Sequence, residues 1–174
     1  MSAPKTQTQD MMDGQGALFL GTHRYMLIRS DAFMGMFARL PSDERITAFG
    51  AIAASVRENG AKSAASYAGM GMEQAEKLTQ TIMETAPKLG WGQWELCYDI
   101  NGLELSVHNS PFVAGFGLSD HPVCAPICGM LEAVCTQIFG KSGTAVETRC
   151  ASQIGERQRA AAACHFRVDA KIDA

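Results

Sequence analysis

The sequence predicts an α+β domain, with N-terminal helices packed on an antiparallel sheet that one inserted helix interrupts. Three observations predict it. In the first half, Ile46, Phe49, Ile52, Ala53 and Val56 recur at helical spacing. In the second half, two alternating segments flank Asn101-Gly102, a dipeptide suited to a hairpin turn. Two further short segments, TAVETRC and CHFRVDA, follow a strongly apolar helical stretch. The chain has 174 residues, 47% of them hydrophobic and 19% charged, which suits one folded domain with its own core.

The elements follow in order. Residues 1–16 are polar and read as a loose tail, leaving 17–174 as a single domain. Residues 17–30 read as a strand or short hairpin carrying Tyr25, Leu27 and Ile28. A helix is predicted from Asp31 to Leu40. Pro41 interrupts it, and a second helix restarts at Ser42 and ends near Asn59-Gly60. A third helical region spans 62–87, with breaks at Gly69 and Gly71. Residues 90–100 and 103–112 form the hairpin. Pro122 suits the first position of the next helix, which makes Cys124 its third residue. Val123, Ile127, Leu131, Val134 and Ile138 form its apolar stripe, and Gly140 ends it. Residues 144–150 and 164–170 complete the sheet.

Charge and composition exclude several classes. The net charge is −3, the isoelectric point is near 5.8, and no Lys/Arg run occurs. Nothing there favours nucleic acid or an anionic membrane as a partner. The N-terminus lacks the apolar core of a secretory signal, so the expected location is cytoplasmic. Six cysteines in that setting are not a disulfide framework. GMGM at 69–72 lacks the lysine and spacing of a phosphate-binding loop, and no nucleotide cofactor is evident. No catalytic triad order or nucleophile elbow stands out.

Cys124, Glu147, Cys150 and Cys164 are the candidate metal ligands. Zinc takes about four donors from thiolate, imidazole and carboxylate in a tetrahedron. Cys124 falls where a helix begins, and free amides there favour a thiolate. Glu147 and Cys150 are three apart, so in a regular strand they would face opposite ways. Joint ligation requires the strand to bend or end by Cys150. Cys150 and Cys164 flank one connection of thirteen residues. The spacing is not a double C-x-x-C, and four unrelated residues with thiols serving as core groups is the competing reading. Cys97, Cys128 and Cys135 read as packing residues. Arg149, Arg157 and Arg159 are candidates to support an anionic site.

The run GWG, NSPF, HPVC, VETRC and CHFRV resembles the 4-vinyl reductase-like domain family. This family includes sensor domains of phenol- and xylene-responsive activators and a protein linked to bacteriochlorophyll synthesis. Its fold is similar to subunits of the TRAPP vesicle-tethering complex. The resemblance implies a structural zinc on Cys124, Glu147, Cys150 and Cys164, with His165 or His121 as substitutes for the last. The long connection before Cys164 departs from the family's short, glycine-containing one.

The resemblance also implies a pocket for a small apolar or aromatic molecule between helices and sheet. The positions matching the sensor branch's Trp and His fall near Val107 and Ala86. Trp94 and His108, paired across the hairpin, stand nearby as polar handles, with Met83 alongside. Met26, Met34, Met36, Met70 and Met72 supply further adaptable apolar surface. A homodimer and a signalling partner protein are implied as well. Two other functions follow from the same family: an enzyme or accessory for tetrapyrrole 4-vinyl reduction, and an assembly module holding an acyl chain.

Overall fold

The computed structural model describes residues 15–20, 22–65, 72–159 and 161–170, and among them the side chains of all but 20, 63–65 and 72–74. The expectations for the tail up to residue 14, for Gly69, Met70 and Gly71, and for the Met72 side chain lie outside what it describes. The chain runs β1 (Leu18–Leu20), β2 (His23–Tyr25), α1 (Ser30–Ala38), α2 (Ser42–Ala65), α3 (Met72–Lys88), β3 (Gln93–Tyr98), β4 (Gly102–His108), α4 (Pro111–Phe116), α5 (Ala125–Phe139) and β5 (Ala145–Arg149). A 3-10 turn (Ala151–Gln153), the short α6 (Glu156–Arg159) and β6 (Cys164–Asp169) complete it. This is the α+β order expected: helices first, then an antiparallel sheet broken by helices.

β1 and β2 form a small hairpin, and four strands form the main sheet in the order β3-β4-β6-β5, every pair antiparallel. Alternation decides its two faces. The inner face carries rows of side chains set by register. Trp94 lies opposite Val107, which lies opposite Cys164; Leu96, Leu105, Phe166 and Glu147 form the next row. These residues are buried, whereas Glu95, Glu104 and Arg167 on the other face are exposed.

The helices cover the inner face. Ile127, Leu131, Val134 and Cys135 form one buried stripe along α5. α5 packs closely on α2 because Gly129 has no side chain: a Cβ there would overlap the Ala53 carbonyl. An aromatic chain then joins α1, α2 and α4, with Phe37 4.9 Å from Phe49 and Phe49 6.3 Å from Phe116. Arg45 closes the end of α1 by donating to the carbonyls of Phe37 and Leu40 at 3.0 and 2.9 Å. Its guanidinium also stacks 5.4 Å from the Phe116 ring centre.

Several boundaries differ from expectation. α2 continues through Asn59-Gly60 to Ala65, because Gly60 is buried against Met130 and packing outweighs its poor helix propensity. Ile46, expected in the core, is exposed. Leu27 and Ile28 lie outside β2 and are also exposed. The hairpin turn is longer than two residues: Tyr98 pairs with Leu103, and Asp99 Oδ1 accepts the amides of Asn101 and Gly102. The segment 103–112 ends as a strand at His108, and Pro111 starts a helix where a strand was expected. Pro122 precedes α5, and Cys124 is its N-cap, not its third residue.

Candidate metal centre and apolar groove

Four elements bring the predicted ligands together. Cys124 caps α5, Glu147 points inward from β5, Cys150 follows the end of β5, and Cys164 opens β6. The strand irregularity that ligation demanded is present, as a register shift between Glu147 and Arg149. It turns Cys150 to the same side as Glu147. One potential ligand atom from each residue lies within 4.8 Å of all the others, and all four residues are buried. His165 faces the opposite side of β6 and bonds Ser106 Oγ through Nδ1 at 3.0 Å, while His121 is exposed.

The donor set fits a tetrahedral cation. Cys124 Sγ and Cys164 Sγ are 3.8 Å apart. Two thiolates bound to one zinc at about 2.3 Å each lie about 3.8 Å apart in a tetrahedron. Glu147 Oε2 accepts the Cys124 backbone amide at 3.0 Å. Its other oxygen, Oε1, is buried with no hydrogen-bond partner. An orphaned carboxylate oxygen is costly in a dry interior, and a cation would satisfy it.

The titration of the cluster shows the same conflict. Burial, and then the charge of Cys150, pushes the Glu147 carboxyl up to about 8. Burial, and then its bond with Cys150, raises the Cys124 thiol well above its ordinary value. Hydrogen bonds with Cys124 and then Cys164 hold Cys150 far below it. Cys164 is raised: its bond with Cys124 favours the thiolate, but its bond with Cys150 and its burial outweigh that. Too many acidic groups share one enclosed space, and a cation bound among them removes the cause.

The supporting donors are not the arginines expected from the sequence. Ser110 Oγ lies 3.3 Å from Cys124 Sγ, and Ser152 Oγ lies 2.9 Å from Cys150 Sγ. The Ala151 amide donates to Cys164 Sγ at 3.3 Å. Arg149 and Arg157 are exposed, and Arg159 donates to the Ile154 carbonyl. Hydroxyls and amides orient thiolates without adding charge. Their positions depend on the turns after β4 and β5, which spacing does not reveal.

A separate apolar groove of about 340 Å³ opens beside this centre. Phe33, Met34, Ile52, Trp91 and Phe112 form its walls, and Met26, Leu27 and Ile28 form one edge. The Trp91 and Phe112 rings meet edge to face at 5.4 Å. The pocket residues expected from the sequence sit elsewhere. Trp94 and Val107 are buried opposite each other in the sheet, and the Trp94 indole donates to the Trp91 carbonyl at 3.0 Å. His108 pairs with Gln93 instead and faces solvent, one residue out of the expected register. Met83 Sδ accepts the Leu96 amide, and Ala86 is buried on α3. None of these five lines the groove. Its walls come from sequence-distant segments, and the GWG and NSPF runs were the only signals near it.

The fold and the cluster define an α+β domain built round a buried set of three cysteines and one glutamate that can hold a metal ion. Residues 103–170, which contain all four cluster residues, match the family model of the 4-vinyl reductase (V-4-R) domain. The family resemblance read from the motifs is thereby shown. Two solved structures are similar. One is the phenol-responsive sensory domain of the transcription activator PoxR with phenol, 17% identical, with a TM-score of 0.63 over 94% of this chain and 88% of that one. The other is a vinyl-4-reductase family protein from Methanocaldococcus jannaschii, 13% identical, with a TM-score of 0.50 over 84% of this chain and 98% of that one. At these identities the likeness is one of fold. A comparison with curated protein sequences gives no match. No helix among the described residues is long and apolar enough to cross a membrane.

Proposed function

We propose that this chain is a small-molecule-binding sensor domain whose C-terminal part is tied together by a structural zinc. The observation that carries the binding function is the aromatic-walled groove of about 340 Å³. Ligand sites are concave, mostly apolar and about 300–1,000 Å³ in volume. The natural occupant is a small apolar or aromatic molecule, as the phenol-bound sensory domain of similar fold suggests.

Zinc is the ion whose preferences match three thiolates and a carboxylate. Four protein donors leave it no open position, so its role is structural and the domain is a binder, not a metal-dependent enzyme. Cys124, Glu147, Cys150 and Cys164 hold it. The metal also bears on the groove. Ser110, bonded to Cys124, immediately precedes the groove residues Pro111 and Phe112, and Pro126 lies two residues beyond Cys124. Zinc therefore fixes the starts of α4 and α5, and with them one wall of the groove. The domain works in the cytoplasm as a homodimer that passes the bound state to a partner protein.

Titration calorimetry with 4-ethylphenol, before and after chelation, tests this reading. Binding that weakens when zinc is removed is expected. A zinc-loaded, folded protein that binds no small apolar or aromatic molecule would refute it. Elemental analysis should find about one zinc per chain.

A further inference from the structure

The apolar groove has one charged residue in its lining, Lys88, and no carboxylate. Lys88 sits in the last turn of α3, beside Leu89, Gly90 and Trp91, which also line the groove. Among the described residues it has no ion-pair or hydrogen-bond partner. Glu84, one turn earlier, accepts from Gln80 Nε2 at 2.7 Å and does not pair with it. The nearby Arg29 and Asp31 are bonded to each other, so they offer no net charge.

The carbonyls at the end of α3 do not compete for a ligand's polar head. Thr85, Ala86 and Pro87 carbonyls accept the amides of Leu89, Trp91 and Gly90 at 3.1, 2.9 and 3.1 Å. The chain's own turn thus consumes the acceptors that would repel an anion. What remains is an apolar trough with an unpaired ammonium at its rim.

We infer that the groove takes an amphipathic monoanion, an aromatic or aliphatic carboxylate, with its apolar body against Trp91, Phe33 and Phe112 and its carboxylate on Lys88. The inference rests on the groove being the ligand site, and it adds the charge that the proposed function leaves open. A neutral phenol would fill the walls but leave Lys88 unmatched. The exposure of Lys88 matters too: a carboxylate there keeps part of its hydration, so the burial penalty for its charge is small.

The test compares 4-ethylbenzoate with 4-ethylphenol on the full, zinc-loaded chain at neutral pH, where the first is ionised and the second is not. The benzoate should bind roughly fivefold tighter, the gain of one partly exposed ion pair. That advantage should shrink as ionic strength rises. Lys88→Gln should abolish it while leaving 4-ethylphenol affinity unchanged, and Lys88→Arg should restore it. Equal affinities that ignore Lys88 would overturn the inference and leave the groove as a site for neutral ligands. Failure of both probes, whether the groove is empty or closed by a second copy in a dimer seen by light scattering, would overturn the ligand site itself.

Discussion

Cys150→Ala isolates the metal's contribution, with Cys135→Ala as its control. Both thiols are buried, at 1% and 0% exposure, so their loss as packing groups is comparable. Cys135 lies on α5 eleven residues beyond Cys124, about 16 Å along the helix axis, and its nearest polar contact is the Lys141 carbonyl. Truncating it should cost about 1 kcal/mol. Cys150→Ala carries a similar packing loss and also removes one of four metal donors. Loss of a supporting partner alone weakens metal sites by about 10–100-fold, so loss of a donor should reach at least the upper figure, about 2.7 kcal/mol. The total is about 4 kcal/mol. At about 2–4 °C per kcal/mol for a domain of this size, Cys150→Ala should lower Tm by roughly 7–15 °C and Cys135→Ala by roughly 2–4 °C.

Calorimetric melting with zinc and again with chelator is the assay. Chelation should lower the wild-type Tm and bring Cys150→Ala close to it. In the metal-free protein the substitution removes the thiolate whose charge raises Glu147, which offsets part of the packing loss. Cys135→Ala should keep the same small offset in both conditions. Equal shifts for the two variants, with no response to chelator, would refute the assignment of Cys150 to a metal centre.

Three further outcomes are expected. Glu147→Gln keeps an acceptor for the Cys124 amide but removes the charge and the orphaned oxygen, so zinc affinity measured by competition with a chelating dye should fall at least tenfold. Gly129→Ala should destabilise the fold by about 1–3 kcal/mol in denaturant titration, since its methyl group meets the Ala53 carbonyl and forces α2 from α5; an unchanged midpoint would contradict that packing. Ligand binding should change the tryptophan fluorescence through Trp91, which lines the groove, and Trp91→Phe should remove most of the change while Trp94, bonded within the sheet, remains.

The difference between the two sites lies in how local their signals are. Cys124, Glu147, Cys150 and Cys164 were legible because each stands at the edge of a short element whose start or end the sequence marks. The demand that β5 bend before Cys150 follows from side-chain alternation alone, and the register shift after Glu147 meets it. The supporting donors were not legible. Ser110 and Ser152 are ordinary serines in sequence, and only the turns after β4 and β5 bring them to the thiols. The PFVAGF helix was hidden because Phe112 and Val113 extend an alternating strand pattern, while Pro111 and the positive φ of Asn109 redirect the chain.

The groove was less legible still. Trp94 and Val107 were placed correctly in the sheet, but one residue of register sends His108 to solvent. The groove walls join residues from the β2–α1 segment, α1, α2, the end of α3, α4 and α5, which no local spacing relates. By itself the sequence determined the α+β order, the strand alternation and the identity of the four clustered residues, because periodicity and turn chemistry are local. The tertiary structure alone decided the orphaned oxygen of Glu147, the hydroxyls behind the thiols and the lysine over the groove. Those depend on how distant elements pack, and close packing is set by the whole chain at once.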